Sequence, residues 1–391
     1  MARFLFVVPP LVGHTRPTVA VATELTAQGH EVAWVGFERV LTPLVGPDAR
    51  VFPCGQPQRD TLPQRAEKVR GLAAFKMLWE QFLIPLADFM APGVRRAIAE
   101  FAPDAVLVDQ QAIAGAMIAD ELGLPWATSA TTSGELTNPL GGMPLVASWL
   151  DGQLADLRRR IASGSAGDPR FSPHLTLVFS TTALVGDVDD RDGTVKMIGP
   201  SLPAQATQEF PWEWLEQPRP TILVSVGTVS GEAGAKFLRA AADAVADRPH
   251  LRAVVVDRTG RDPQANVYPN VLVRERVPQV RLMPHLSAVV CHAGHNTVCE
   301  SLLHGLPLVV APIRDDQTTV AQQVLDAGAG IRLRFSRADA GQIGEAVDTV
   351  LADPGYAAAA RRIGDSFRAA GGAQAAATHL LELCAAPALP N

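Results

Sequence analysis

The fold is decided at residues 4–8, which read Phe4-Leu5-Phe6-Val7-Val8. This run is short, continuous and rich in β-forming residues, which is typical of a parallel strand buried on both faces. A helical pattern follows from Pro17 to Gln28, and a second strand pattern lies at Glu31–Val35. Strands that alternate with helices predict a doubly wound parallel sheet.

The alternation continues along the chain and restarts after a proline-rich break. A strand pattern at 105–108 ends at Asp109, and a helix at 112–122 and a strand at 126–128 follow. Residues 199–220 contain five prolines, a density that stops regular elements and predicts a linker. Strand and helix patterns then return at 221–225, 233–246, 252–256, 271–273, 288–291 and 307–311. The sequence therefore predicts two similar α/β halves.

Length and composition exclude several classes of protein. A chain of 391 residues with 47% hydrophobic and 19% charged residues is long and apolar enough for two globular domains. The net charge of −6 argues against a nucleic-acid partner. The four cysteines form no paired motif, the chain starts without a secretion-signal pattern, and no apolar run is long enough to cross a membrane. We therefore expect a cytoplasmic protein without a membrane span.

His14 is the first candidate for chemistry because it comes directly after the first strand pattern. Ligands of open α/β sheets bind outside the carboxyl ends of the strands, and histidine takes up a proton near neutral pH. His14 is therefore a candidate general base. From this residue alone, a histidine that only caps or packs at a helix terminus is an open alternative.

A second candidate site follows the strand at 288–291, where the sequence reads His292-Ala293-Gly294-His295-Asn296-Thr297. Small residues at the start of a helix let backbone amides approach an anion, and a diphosphate suits such a turn. Glu300 offers acceptors to ribose hydroxyls, and the turn at 225–228, with Ser225, Gly227 and Thr228, has the same character. Neither turn carries a dinucleotide or P-loop fingerprint, and a purely structural glycine turn is the alternative.

Two further stretches suit a sugar and an apolar ligand. Asp316 and Gln317 place a carboxylate beside an amide, which suits vicinal hydroxyl groups, whereas a solvated loop that caps a helix is the alternative. Between residues 59 and 100, large apolar side chains either form core or line a pocket for an apolar ligand, with Phe75, Trp79 and Phe82 as candidate contacts. The residues around 131–143 are further candidates. The acidic spacing Asp187-Val188-Asp189 reads as a solvated loop.

The order and spacing of these motifs resemble the nucleotide-sugar signature of family 1 glycosyltransferases, and more narrowly the bacterial members that modify macrolides, polyketides and carotenoids. The matching residues begin at Pro278-Gln279 and run through Leu282, His285, residues 292–297, Glu300, Gly305, Pro307 and Pro312 to Asp316-Gln317. The turn Gly13-His14 and Asp109 also match, so the resemblance covers essentially the whole chain.

This resemblance implies the GT-B fold, in which two Rossmann-like domains with parallel sheets face each other across a cleft. An acceptor-binding domain would span residues 1–205 and a donor-binding domain residues 206–391, with the last helix, about 373–391, packing back on the first domain. The oligomeric state is left open, with a monomer and a homodimer as the alternatives.

The resemblance also implies an enzyme, an inverting hexosyltransferase that needs neither a cofactor nor a metal. It would move a sugar from a dTDP- or UDP-linked donor to a hydroxyl of a hydrophobic small molecule. His14 would be the base and Asp109 its partner. Donor-binding residues carried over from the motifs are Gly13, Ser225, Gly227, Thr228, Arg276, Val277, Gln279, His292, Ala293, Gly294, Asn296, Thr297, Glu300, Asp316 and Gln317.

The chain departs from the family pattern at two positions. Many relatives stack a tryptophan on the nucleobase two residues before Pro278, where this chain has Arg276, and Val320 stands where an asparagine is frequent. Arginine also stacks on bases, so the identity of the nucleobase stays open. The alternatives are a sugar-nucleotide epimerase or hydrolase on the same scaffold and a non-catalytic nucleotide-binding auxiliary protein.

Overall fold

A computed structural model describes most of the chain. The described residues are 1–55, 71–136, 142–188, 190, 192–203, 208–216, 218–227, 232–258, 268–314 and 316–385. Contacts divide the chain into two compact units, each with its own sheet. The first unit comprises Met1–Ser180, Asp187–Pro203 and Ala370–Asn391, and the second comprises Thr181–Gly186 and Ala204–Ala369.

The first unit contains a seven-stranded parallel sheet with the strand order β3-β2-β1-β4-β5-β6-β7. Its strands are β1 (Arg3–Val7), β2 (Glu31–Gly36), β3 (Arg50–Pro53), β4 (Ala105–Asp109), β5 (Trp126–Ala130), β6 (Leu175–Val178) and β7 (Val195–Met197). Strand order reverses between β1 and β4, so the crevice typical of doubly wound sheets opens at their carboxyl ends.

Helices cover both faces of this sheet. They are α1 (Val12–Ala27), α2 (Glu38–Val45), α3 (Leu72–Leu78), α4 (Ile84–Phe101), α5 (Ile113–Glu121), α6 (Pro144–Ile161) and α14 (Gly372–Ala385), and a π-helical turn at Trp79–Leu83 joins α3 to α4. One hydrophobic cluster packs α4, α5 and α6 on the sheet, and another joins α1 and α14. The unbroken apolar run of β1 is explained by these two clusters, since Leu5 lies in one and Phe6 in the other.

The second unit contains a six-stranded parallel sheet with the order β10-β9-β8-β11-β12-β13. Its strands are β8 (Thr221–Ser225), β9 (Arg252–Val256), β10 (Val271–Arg274), β11 (Ala288–Cys291), β12 (Leu308–Val310) and β13 (Gly330–Arg332). Its helices are α7 (Thr182–Val185), α8 (Glu232–Ala246), α9 (Gln279–Leu282), α10 (His295–Leu303), α11 (Gln317–Asp326), α12 (Ala340–Ala352) and α13 (Pro354–Ala369). The prediction of two parallel α/β sheets is confirmed.

The structure corrects the predicted start of the first helix. The sequence pattern predicts a helix that runs from Pro17 to Gln28. Helix α1 instead begins at Val12, after Leu11 in an extended conformation, and it contains Pro17 at a buried position. His14 therefore belongs to the first turn of α1 and not to a loop before it.

The proline-rich stretch is only partly an irregular connection. The chain passes from the first unit to the second between Pro203 and Ala204. Phe210 is buried in the second unit's core, and a 3-10 helix at Trp212–Leu215 packs beside it. In the described part of the chain, no helix combines the length and the apolar character that a membrane span requires.

Candidate active site

Two candidate catalytic side chains meet where the strand order of the first sheet reverses. His14 lies in the first turn of α1, directly after β1, and Asp109 is the last residue of β4, the neighbour of β1. Parallel strands bring their carboxyl ends to the same sheet edge, so residues 95 positions apart in sequence come into contact.

The contact between these residues is a buried hydrogen-bonded pair. Nδ1 of His14 lies 3.0 Å from each carboxylate oxygen of Asp109. Asp109 is fully buried, whereas the His14 side chain is 12% exposed. The backbone N–H of Gln111 also donates to Oδ1 of Asp109, at 2.9 Å. An ionised carboxylate accepts hydrogen bonds only, so the network places a proton on Nδ1 and leaves Nε2 of His14 as a proton acceptor.

A third side chain completes this group. The hydroxyl of Thr131, just after β5, lies 2.8 Å from Nδ1 of His14 and donates to Oδ2 of Asp109 at 2.8 Å. The sequence analysis included residue 131 among the candidates for contact with the acceptor, but it did not connect Thr131 with the pair of His14 and Asp109. The available signal was its position after a strand that neighbours β4.

In the second unit, the imidazole of His292 fills the space between two glycines. A Cβ atom on Gly227 would lie 2.6 Å from Cε1 of His292, and one on Gly294 would lie 2.7 Å from its Nε2. Gly227 also has φ +66°, a left-handed conformation that favours glycine. Both positions therefore require glycine, and they bring the turns after β8 and β11 together around one ring.

Burial makes His292 a weak base. Removal from water lowers the pKa of His292 to about 4, and the nearby positive charge of Arg314 contributes in the same direction. The ring is therefore neutral at pH 7 and offers a hydrogen bond rather than a full charge. The same interaction shows that Arg314, after β12, lies close to this turn. The sequence analysis had not selected Arg314.

The turn after β11 has a strained backbone and ends in a helix. Ala293 is fully buried with φ +61°, and Gly294 is the residue before the first turn of α10. Asn296 and Thr297 lie in that first turn and are partly exposed. The first amides of a helix and its dipole favour a bound anion. This turn thus has the local structure that the diphosphate prediction requires.

Gln279 and Glu300 are bonded to each other. Nε2 of Gln279, at the start of α9, donates to Oε2 of Glu300 at 2.6 Å, and it also lies 3.5 Å from the Thr297 hydroxyl. Glu300 is only 1% exposed, so the predicted hydrogen bonds from its carboxylate to a ribose would compete with Gln279. Arg276 is largely exposed, and Val277 is partly buried.

The remaining donor candidates follow β8 and β12 or lie beside His14. Ser225 is the buried end of β8, and Thr228 lies outside the described residues. Oε1 of Gln317, a buried residue, accepts hydrogen bonds from the backbone N–H groups of Ile313 and Arg314. Asp316 precedes α11 and is partly buried, and Gly13 is exposed in the first turn of α1.

Other acidic groups do not gather into a metal site. Asp189 of the acidic Asp187–Asp189 spacing lies outside the described residues. Within the described ranges, no group of three or more histidine, cysteine, aspartate or glutamate side chains is arranged to hold a metal ion.

The predicted acceptor contacts are divided between core and surface. Trp79 and Phe82, in the π-helical turn, belong to the core of the first unit, and Trp79 is completely buried. The indole N–H of Trp79 has no hydrogen-bond partner among the residues that the structure describes. Phe75 is partly exposed and contacts the rings of Trp79 and Trp149. Phe75 is therefore the most accessible of the three, and acceptor contact by any of them stays a prediction.

Comparison with known proteins supports the resemblance inferred from the motifs. Residues 206–365 match the family model described as UDP-glucoronosyl and UDP-glucosyl transferase. The chain is 29% identical to 4'-demethylrebeccamycin synthase of Lentzea aerocolonigenes, over 94% of this chain and 96% of the relative. Residues 206–365 therefore carry the domain of this glycosyltransferase family, and the similarity to a named relative extends along the rest of the chain.

Further relatives extend the glycosyltransferase assignment to the whole chain. Demethyllactenocin mycarosyltransferase of Streptomyces fradiae is 28% identical, over 96% of this chain and 85% of the relative. A solved structure, the glycosyltransferase of kitacinnamycin, superposes with a TM-score of 0.81 at 25% identity and covers 98% of this chain and 99% of its own. This glycosyltransferase is therefore an enzyme with the GT-B fold.

Proposed function

We propose that this glycosyltransferase moves a sugar from a nucleoside diphosphate sugar to a hydroxyl of a hydrophobic small-molecule natural product, with inversion at the anomeric carbon and without a metal ion. The observation that carries the proposal is the buried pair of His14 and Asp109 at the point where the first sheet reverses its strand order. A histidine held by a buried carboxylate is suited to general base catalysis.

The proposed mechanism is a single displacement. Nε2 of His14 removes the proton of the acceptor hydroxyl while that oxygen attacks the anomeric carbon and the bond to the diphosphate breaks. The ionised Asp109 stabilises the imidazolium that forms. Because the acceptor attacks directly from the face opposite the leaving group, the anomeric configuration inverts.

The donor is assigned to the second unit because its sheet edge has anion-binding features. The first turn of α10, Thr297 and the neutral imidazole of His292 would donate hydrogen bonds to the leaving diphosphate. Asp316 and the amide nitrogen of Gln317 would contact the sugar hydroxyls. A metal is unnecessary in this proposal because these donors stabilise the leaving charge.

The acceptor class is supported by the named relatives and by the apolar first unit. The rebeccamycin and lactenocin enzymes are named for natural products, and the kitacinnamycin enzyme is too. The choice between dTDP- and UDP-linked donors stays open, since Arg276 stands where a stacking tryptophan is usual. We place the enzyme in the cytoplasm, because all four of its cysteines are free thiols.

The test is a mass-spectrometric screen of dTDP- and UDP-linked sugars against hydrophobic alcohols and phenols. We expect a glycoside product without added metal and in the presence of EDTA. The proton coupling constant at the anomeric carbon of the product will report inversion. Release of free sugar without any acceptor would instead indicate a hydrolase.

The first prediction concerns His14. His14→Ala should lower kcat by about two to four orders of magnitude, because general base catalysis contributes that much. Calorimetric titration with dTDP or UDP should give an unchanged Kd. The matched control is His250→Ala, which removes an exposed histidine in a turn of the second unit and should leave kcat unchanged. Unchanged turnover in His14→Ala would rule out the mechanism.

A further inference from the structure

The hydroxyl of Thr131 contacts both members of the catalytic pair. It lies 2.8 Å from Nδ1 of His14 and 2.8 Å from Oδ2 of Asp109, and Thr131 is only 2% exposed. A hydroxyl has one proton to donate. Because the carboxylate accepts only, that proton goes to Asp109, and the hydroxyl oxygen is then free to accept the proton of His14 Nδ1.

The carboxylate of Asp109 is therefore held on both oxygens. The backbone N–H of Gln111 binds Oδ1 at 2.9 Å, and the Thr131 hydroxyl binds Oδ2. Without the hydroxyl, Oδ2 of this fully buried carboxylate would keep, among the residues that the structure describes, only its contact with His14. The side chain could then rotate away from Nδ1, and the imidazole would lose one of its acceptors.

We propose that Thr131 is a positioning residue of the transfer reaction: its hydroxyl fixes the carboxylate of Asp109 and the Nδ1–H tautomer of His14, so that Nε2 is presented to the acceptor. This inference rests on the proposed function. Thr131 acts through the pair and touches no reacting atom. Its removal should therefore lower kcat and leave the KM of the donor unchanged.

The variant Thr131→Val replaces the hydroxyl by a methyl group of similar size, and Thr131→Ser restores the hydroxyl. We expect kcat to fall about tenfold in the valine variant, the effect of one lost hydrogen bond, and to recover to within about twofold in the serine variant. The KM of the donor should stay at the wild-type value in both variants.

Thr128→Val is the matched control. Thr128 lies on β5, three residues before Thr131, and is likewise buried, but among the described residues its hydroxyl bonds only to the backbone of Arg170 and Ser172. The control should lose stability and keep the wild-type kcat. If Thr128→Val lowers kcat as much as Thr131→Val, general packing explains the effect and the proposal is wrong.

A second measurement tests the proposal without any reaction. In substrate-free protein labelled with ¹⁵N-histidine, the His14 signals, assigned by their loss in His14→Ala, should show the Nδ1–H tautomer. They should move toward the other tautomer in Thr131→Val and return in Thr131→Ser. If the enzyme transfers no sugar but these shifts occur, the function is wrong and the positioning role holds.

Three further outcomes would overturn the role of Thr131. The first is an unchanged His14 spectrum in Thr131→Val. The second is an unchanged kcat in an active enzyme. The third is a raised KM of the donor with kcat retained, which would show that the hydroxyl binds the sugar instead of positioning the pair.

Discussion

Gly227 and Gly294 are glycines because the ring of His292 occupies the space where their Cβ atoms would lie. The sequence analysis explained both glycines by backbone approach to a phosphate. The structure adds a different reason, since each glycine also makes room for the partly buried imidazole of His292. Gly294 is two residues from His292, but Gly227 is far from it in sequence, so the contact of Gly227 with the ring leaves no local pattern from which to predict it.

Gly227→Ala should weaken binding of the donor nucleotide at least tenfold. The new methyl group would meet the His292 ring at 2.6 Å, and the left-handed backbone at φ +66° adds about 1–2 kcal/mol of strain. Calorimetric titration with dTDP or UDP measures the loss. Gly123→Ala is the control, because Gly123 has φ +64° with no atom within 4 Å of the added Cβ. Gly123→Ala should lower the stability of the protein but leave its affinity for the nucleotide unchanged. Equal losses of nucleotide affinity in the two variants would contradict the role of the His292 ring.

His292 should make the enzyme sensitive to mild acid. Its pKa is lowered to about 4 in the folded state, from 6.5 in the unfolded state, so the unfolded state binds more protons between these values. The contribution of the neutral ring to stability is present above pH 6.5 and is lost as the pH falls toward 4. At pH 5 the loss amounts to about 2 kcal/mol.

Urea unfolding at pH 7 and pH 5 measures this effect. His292→Gln keeps a neutral polar side chain that does not titrate, so its stability should fall less between the two pH values than that of the wild type. If the wild type and His292→Gln lose the same stability between pH 7 and pH 5, other groups cause the acid sensitivity.

At the scale of the elements, the sequence predicted the central strands best. β8 and β11 match the predicted ranges, because these strands are buried on both faces and form continuous apolar runs. Strands β3, β6, β7 and β13 were not predicted, because none of them contains three consecutive aliphatic residues, whereas the equally short strands β10, β11 and β12 do. His14 could be predicted from its position after the central strand β1, and the family resemblance implied Asp109 as its partner, whereas the third contact, from Thr131, required the neighbour relation of β4 and β5.

The end of helix α4 offers a test of backbone strain. Its last cap residue, Ala102, is exposed and has φ +47°, a conformation that costs a residue with a Cβ atom about 1–2 kcal/mol. Ala102→Gly should therefore raise the free energy of unfolding by roughly 0.5–1 kcal/mol after the entropy of glycine is subtracted. The control Ala99→Gly, at an exposed helical position, should lower it by a similar amount. If chemical denaturation shows that Ala102→Gly and Ala99→Gly change the free energy of unfolding in the same direction, this explanation is wrong.

At the scale of the whole molecule, the chain leaves the first unit and later returns to it. Helix α14 follows the second unit in sequence but belongs to the first. Its buried residues Ala376, Ala377, Leu380 and Leu383 share a hydrophobic cluster with Val21 and Leu25 of α1. The stability of the N-terminal sheet thus depends on residues from the far end of the sequence.

Leu380→Ala should destabilise the first unit by about 2–5 kcal/mol, the range for a fully buried leucine. Hydrogen exchange should increase in α1 and β1 and stay unchanged in α10 and β11. Leu302→Ala, at a fully buried position of α10, is the matched control. It should increase hydrogen exchange in α10 and β11 and leave exchange in α1 and β1 unchanged. Faster exchange in both units for both variants would mean that the units do not unfold separately.

The return of α14 to the first unit also sets the order in which the two units can complete their cores during translation. A ribosome makes β1 and α1 first, but it makes the residues that cover Val21 and Leu25 only after the entire second unit. During translation the second unit can close its core before α14 emerges, while the side of α1 that packs on α14 is still uncovered. The part of the enzyme that is synthesised first is therefore completed last.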